Sequence, residues 1–433
     1  MGKLAKNTRL NLIMPYPAMI ADELAVAIAQ KHIHPGDLVL DPFVGTGRIL
    51  AAAAQAGASG VGIDVNPLAV IVTNAKSVSG GQRRLRDFAL ELTRKRFPAD
   101  SSGIRLLMGR RVEWFHPRTH RQIDYLKGQI NRAKLPRAAL TVVVAVFFAT
   151  IREVSYCRKD QWKLHRLSKA SRNAQRVDVK QTFLRRLSQV INSFEVPTHN
   201  LYKFRAVIGD SKRLSHVLSD QGVKFPIDCV VTSPPYGDSK STVQYGGISQ
   251  LCLEMAKGIL GLKALDYCIS GIDANCLGGK MSLDGKLYAI PKRIWAGDLC
   301  TSIGKRVAQY LDDMRSVCEQ IVRVLKANGK IVFVVARRNV GGATLNLDLW
   351  FRSEFEKLGC TLIEWTTREI KRKLTPYLVV PKARSVSCET EMSAVPTMRK
   401  EYILVFSSPN HLTRASANFE RPIPSRRQSR LPQ

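Results

Sequence analysis

Leu38-Val39-Leu40-Asp41-Pro42-Phe43-Val44-Gly45-Thr46-Gly47 is a short apolar run that ends in an acid and then breaks into a proline and a glycine turn. Apolar residues bounded by turn formers read as a buried strand. Gly45 and Gly47 permit a tight turn, and the alanine-rich stretch from Thr46 to Ala56 reads as a helix. A second unit follows at once: Gly60 to Asp64 reads as a strand, and Pro67 opens another helix. Strands alternating with helices in this way predict an α/β protein with a mostly parallel sheet. Upstream, residues 18–31 have an amphipathic helical pattern, preceded by Pro15 and Pro17 and followed by the turn Pro35-Gly36-Asp37.

Downstream the alternation stops. Residues 81–205 hold 28 Lys and Arg against 9 Asp and Glu, a net +19 of the chain's +32. Ala138 to Ile151 is apolar throughout, between Arg137 and Arg152. It falls short of the roughly 20 residues that span a bilayer and reads as a buried helix. A basic run follows, with Arg158, Lys159, Lys163, His165, Arg166, Lys169, Arg172 and Arg176. The segment predicts a helical insertion with a basic face. So large a cationic excess, clustered in one region, points to a polyanionic partner, most simply nucleic acid.

The alternation returns at Arg205-Ala206-Val207-Ile208-Gly209-Asp210, again a strand ending in an acid. Ile227-Asp228-Cys229-Val230-Val231 is the next strand, and Thr232-Ser233-Pro234-Pro235-Tyr236 follows it. Two prolines cannot continue a central strand, so the chain leaves the sheet there. This sets a hydroxyl, a stiff carbonyl and an aromatic ring at a strand's carboxyl end, where open α/β sheets bind ligands. Residues 237–300 read as loops and short helices, and Val307 to Ala327 as a long helix ended by Gly329 at C′. Lys330 to Val335 reads as a strand, Leu345 to Leu358 as a helix, and Thr361 to Thr366 as a strand. Residues 371–399 read as a loop, Glu401 to Phe406 as the last strand, and the polar tail from Ser408 as disordered. No helical pattern separates the last two strands, which predicts an antiparallel pair.

Nine cysteines lie scattered, with no Cys-x-x-Cys pair and no Cys/His group at zinc-site spacing, so no metal is expected. Such cysteines suit a reducing, cytoplasmic setting. The amino terminus has no apolar signal region, and no membrane role is expected.

Three segments together, Asp41 to Gly47, Gly62-Ile63-Asp64-Val65-Asn66-Pro67 and Ser233 to Tyr236, resemble the amino-methyltransferases. That family moves a methyl group from S-adenosylmethionine to an exocyclic base nitrogen. Ser-Pro-Pro-Tyr looks most like the N4-cytosine DNA branch, whereas Asp or Asn in the first position is commoner in N6-adenine enzymes. The resemblance covers about residues 10–77 and 205–407. Gly237-Asp238-Ser239-Lys240, Arg368-Glu369-Ile370 and Met398-Arg399-Lys400-Glu401-Tyr402 are similar to a restriction-modification subset. The resemblance implies a Rossmann-like sheet of seven strands, mostly parallel with the last reversed, carrying the basic helical insertion. The expected division is 1–80 with the cofactor motifs, 81–204 as the insertion and target-reading region, 205–407 as the catalytic part, and 408–433 as tail.

By the same resemblance Asp41, Pro42, Phe43, Gly45, Gly47, Asp64, Asn66 and Asp210 bind S-adenosylmethionine. The spacing of Asp64 after Asp41 also suits hydrogen bonding to ribose hydroxyls. A base amine is a poor nucleophile because its lone pair is delocalised into the ring. The Ser233 hydroxyl and Pro234 carbonyl are acceptors that could hold both N–H bonds and free that pair, with Pro235 stiffening the loop. Tyr236 is expected to stack on a flipped base. No Pro-Cys nucleophile exists for attack on cytosine carbon-6, so nitrogen is the better acceptor atom. Arg158, Lys159, Lys163, Arg166 and Lys240 are the expected nucleic-acid contacts. The implied partners are duplex DNA and a cognate restriction endonuclease. N6-adenine methylation and RNA base methylation remain open alternatives at this point.

Overall fold

The computed structural model describes residues 14, 16, 19–99, 112–159, 164–175, 177–193, 203–223, 225–238, 245–265, 271–280, 289–370, 378–379, 395–396 and 399–410. Seven strands form one sheet: β1 Leu38–Asp41, β2 Ser59–Asp64, β3 Phe204–Ile208, β4 Ile227–Thr232, β5 Leu325–Val335, β6 Thr361–Glu369 and β7 Lys400–Ser407. Their spatial order is β3-β2-β1-β4-β5-β7-β6. The first five neighbours pair in parallel, with Leu40 opposite Val61 on one side and Val230 on the other. β7 enters between β5 and β6 and is antiparallel to both, Leu404 lying opposite Phe333 and Trp365. The expected seven strands with the last one reversed are what is found.

Alternation along the strands sends side chains to opposite faces. Val39, Cys229, Val231, Val332, Val334 and Val405 pack with helices α1 Asp22–His32 and α2 Arg48–Gln55. Leu40, Val230, Ile331, Phe333, Leu404 and Phe406 pack on the other side. There they meet residues of α10 Ser302–Val324 and α11 Leu347–Lys357, numbered in a series in which α3 is Pro67–Ser77. Between α3 and α10 the chain adds α4 Gln82–Arg94, α5 Pro117–Arg132, α6 Arg137–Val154, α7 Val179–Ser193, α8 Leu214–Asp220 and α9 Gly246–Ala256.

α6 is apolar on every side, and a helix of that kind must be surrounded. α3, α4, α5, α7 and α9 do so, and the resulting cluster holds the fully buried Phe147, Phe148 and Phe183. The helices of 81–204 therefore share one core with α3 and α9 of the sheet-bearing part.

Two expected elements differ. α10 begins at Ser302, capped by Thr301 Oγ1 accepting from Gly304 N at 2.9 Å, and ends at Val324 rather than Ala327. Leu325 is already extended because it pairs with Ile227, so Gly329 lies within β5 and is not a helix C′ residue. α9 is one of the short helices expected among the loops of 237–300. Most of the expected 371–399 loop and 408–433 tail lies outside the described residues.

Candidate active site

The chain order β1, β2, β3 runs outward on one side of β1, and β4, β5 on the other, so the strand order reverses between β1 and β4. Ligands of open α/β sheets bind at the carboxyl ends beside such a switch point. A cleft of about 880 Å³ lies there, open to solvent. Asp41, Pro42, Phe43, Gly45, Asp64, Asn66, Asp210, Ser233 and Pro235 line it, and so bring the expected cofactor and methyl-acceptor segments to one cavity.

Asp41 ends β1 and is buried. Its Oδ1 accepts from Phe43 N at 3.1 Å and from the Thr232 hydroxyl at 2.7 Å, which ties the turn after β1 to the end of β4. Burial holds its carboxyl at about 7, above the usual carboxylate range. The sign follows from linkage: the stability Asp41 contributes is complete below about pH 4, its unfolded value, and is lost as pH rises to about 7. Asp41→Asn keeps an Oδ1 acceptor and removes the charge. It should raise stability at pH 8 and flatten the pH dependence between about 4 and 7, each unit of raised pKa being worth about 1.4 kcal/mol. Urea unfolding at pH 5 and pH 8 measures this; an unchanged slope would show that Asp41 titrates normally.

Asp64 ends β2 and organises the glycine turn. Its Oδ2 accepts from Gly45 N at 3.0 Å and its Oδ1 from Asn66 N at 2.9 Å. Burial again raises the carboxyl, to about 6. Asn66 caps α3 through Leu68 N at 3.1 Å and donates to the Tyr16 hydroxyl at 2.9 Å and Ser249 Oγ at 2.8 Å. Gly47, at φ +73°, lies under the turn and not in the cleft wall. A Cβ there would come within 2.6 Å of Thr73 Cγ2, and the positive φ strains any other residue. Thr73 Oγ1 holds Gly45 O at 2.9 Å, and the buried Lys76 holds Thr46 O at 2.6 Å. Asp210 lies two residues beyond β3, where its Oδ1 accepts from Lys212 N at 3.0 Å.

After β4, Pro234 is buried and Pro235 O accepts from the Tyr310 hydroxyl of α10 at 2.6 Å, which fixes the loop. Ser233 Oγ lies 3.1 Å from the Tyr236 hydroxyl. The Tyr236 ring is packed against the α10 side of the core and does not line the cleft; its hydroxyl lies close to Glu401 at the start of β7. The aromatic rings in the wall are Phe43, Tyr16 and Tyr245, the latter two 5.9 Å apart.

Sequence reasoning singled out neither Tyr16, Arg48, Tyr245, Asn275 nor Cys276 as a site residue, although all line the cleft. The prolines around Tyr16 were a signal of a fixed approach. Asn275 and Cys276 come from a short helix, Ile272–Asn275, and nothing local marks them.

The basic residues are less uniform than their spacing suggested. Arg158 is exposed. The Lys159 ammonium donates to Arg152 O and Ser155 O at the end of α6, and burial lowers its pKa to about 8. Arg166 pairs with Glu113 at 3.2 Å and lies over the Trp114 ring. Lys163 and Lys240 lie outside the described residues. Arg158 N donates to His165 O at 2.8 Å, and Leu164 abuts Gly247, two residues from Tyr245 in the cleft wall. Among the described residues, no helix is long and apolar enough to cross a membrane.

Residues 2–74 match a family of DNA methylases of the N6/N4 type. Over 427 residues the chain is 25% identical to Type II methyltransferase M.MvaI of Kocuria varians, covering 90% of each chain. A stretch of 83 residues is 26% identical to Type II methyltransferase M.MjaII of Methanocaldococcus jannaschii, 19% of this chain and 16% of that one. Among solved structures, the rRNA methyltransferase aviRa from Streptomyces viridochromogenes aligns over 93% of this chain and 94% of its own, with 10% identity and a TM-score of 0.33, too low to bear on the reading. The likeness read from three short motifs therefore extends along nearly the whole chain, and the relatives are restriction-modification-type DNA methyltransferases.

Proposed function

We propose that this chain transfers the methyl group of S-adenosylmethionine to the exocyclic N4 of cytosine in a specific duplex DNA sequence, as the modification arm of a restriction-modification system. The observation that carries the reading is one cleft lined both by the Gly45–Asp64 turn and by Ser233 and Pro235. The residues fit the donor. In a chain of net charge +32, Asp41, Asp64 and Asp210 line the cleft, and among the described residues Arg48 is the one Lys or Arg in its wall. That inversion suits a ligand with a sulfonium and an ammonium group. Asp64 and Asp210 would hold the nucleoside part, with Asp41, Pro42, Phe43, Gly45 and Asn66 shaping the pocket and Gly47 permitting its turn. When bound, S-adenosylmethionine supplies an electrophilic methyl group on sulfur.

The chain's own residues then have four tasks. Ser233 Oγ and Pro234 O accept the two N–H bonds of the target amine, which holds its lone pair free. Pro235, anchored by Tyr310, keeps that geometry fixed before the base arrives. An amine inside a duplex is out of reach, so the nucleotide must leave the stack. Tyr236, which is only partly buried, would offer its ring to that base with its hydroxyl kept at Ser233. The helical segment 81–204 would read the target, with Arg158, Lys163, Arg166 and Lys240 among the contacts to DNA.

Nucleoside mass spectrometry decides the acceptor. The protein is incubated with labelled S-adenosylmethionine and, separately, with unmethylated duplex DNA of many sequences and with bulk RNA. Label in N4-methylcytosine from DNA is expected. Label in N6-methyladenine would move the reading to the adenine branch, and label in RNA alone would overturn it.

A further inference from the structure

The Ser-Pro-Pro-Tyr loop holds no carboxylate, imidazole or amine to act as a base, and the nitrogen that receives the methyl group must lose a proton. The fold supplies a route. Because β7 runs against its neighbours, its first residues reach the same sheet edge as the carboxyl ends of β4 and β5. Glu401 arrives there from the far end of the chain. Its carboxyl lies within reach of the Tyr236 hydroxyl, which stands 3.1 Å from Ser233 Oγ. Resting on the methyl-transfer reading above, we propose that Glu401 is the terminal proton acceptor of the reaction, reached from the target amine through the hydroxyls of Ser233 and Tyr236.

The balance is as follows. The amine lone pair forms the new N–C bond, and the S–C bond of the methylsulfonium donor breaks with its electron pair left on sulfur. The nitrogen then carries a positive charge and a surplus proton. That proton passes to Ser233 Oγ as the Ser233 hydroxyl proton passes to Tyr236 Oη and the Tyr236 proton to the Glu401 carboxylate. Both hydroxyls end neutral, and the proton rests on a side chain still 13% exposed, from which water can take it after product leaves.

The surroundings of Glu401 suit an acceptor. Arg368, its register partner on β6, lies with Nε 3.2 Å from Oε2. Tyr236 approaches from the loop after β4. At the end of β5, Arg337 is paired with Asp348 at 2.8 Å and stacked over Tyr402, and on β7 itself Lys400 lies opposite Glu369. Burial raises the Glu401 carboxyl, while Arg368 and the Tyr236 hydrogen bond pull it down. Glu401 is thus a stronger base than a surface carboxylate, with Arg368 beside it. Tyr236, by this account, is a positioning and relay group as well as an aromatic face.

Two measurements test this. First, Glu401 is titrated by infrared spectroscopy in protein carrying ¹³C-labelled glutamate, without DNA or donor, with Glu401→Gln assigning its band. Tyr236→Phe removes a donor to the carboxylate and should move the titration to higher pH. Second, single-turnover methyl transfer is followed against pH. The wild-type rate should fall as pH falls through the Glu401 pKa. Glu401→Gln should lose that limb and run about 100-fold slower, while Arg368→Met should move the limb to higher pH, each with the donor affinity of wild type by calorimetry. If Tyr236→Phe leaves the Glu401 titration in place, or if Glu401→Gln keeps the acid limb, the relay is wrong. A Glu401 titration that moves as expected in a protein that methylates no DNA would sustain the hydrogen-bond chain and sink the substrate reading instead.

Discussion

Asp64→Ala should bind S-adenosylmethionine about 10- to 100-fold more weakly than wild type by calorimetry. The carboxylate has two tasks in the structure. It accepts from Gly45 N and Asn66 N, which shapes the turn, and it faces the cleft where a ribose would lie. Alanine leaves two backbone donors without their acceptor, and each such loss costs about 1–3 kcal/mol. A tenfold change in affinity is about 1.4 kcal/mol, so one lost interaction already gives the lower bound. Asn66 would feel the loss too, because the backbone held by Asp64 sets the cap of α3. The expected signature is a weaker affinity together with a stability lowered by about 2–6 kcal/mol, the cost of the two unsatisfied donors. An unchanged dissociation constant would remove Asp64 from the donor site, and with it the main argument for where the nucleoside part sits.

Phe147→Ala should cost about 3–5 kcal/mol of stability, a large fraction of the 5–15 kcal/mol typical of a folded chain. Phe147 is fully buried in α6, and its cluster joins α3, which packs on the sheet, to the helices of 81–204. A shared core has a further consequence for the way the protein unfolds. Tryptophan fluorescence from the insertion, where Trp114 sits, and loss of donor binding at the sheet should fall together in urea and shift together in Phe147→Ala. Two separated transitions would mean that residues 81–204 form an independent domain after all.

The sheet was legible because its signals are local. Leu38 to Asp41, Gly60 to Asp64 and the run before Ser233 each carry an apolar stretch cut off by an acid or a proline, and backbone geometry does the rest. The end of α10 was not legible, because Leu325 has as good a helical pattern as its neighbours and is drawn into β5 only by Ile227, about a hundred positions away. The cleft divided in the same way. Asp41, Gly45, Asp64, Asp210 and Ser233 stand at or just after strand ends, where the motifs of the resemblance mark them. Tyr16, Tyr245 and Cys276 arrive from segments whose only common property is where the fold delivers them. Lys159 shows the reverse error: its charge was visible, but the carbonyls at the end of α6 that occupy it were not.

The position of β7 also bears on how the chain must be assembled. It is the last strand in sequence but lies inside the sheet, between two that precede it. Until it is inserted, β5 and β6 each present an edge of unpaired N–H and C=O groups, and β5 offers the apolar Ile331-Val332-Phe333-Val334-Val335. Such edges are templates for pairing with another molecule. A nascent or proteolysed chain lacking residues 399–407 would therefore carry a sticky slot, and aggregation rather than a soluble, inactive remnant is its expected fate.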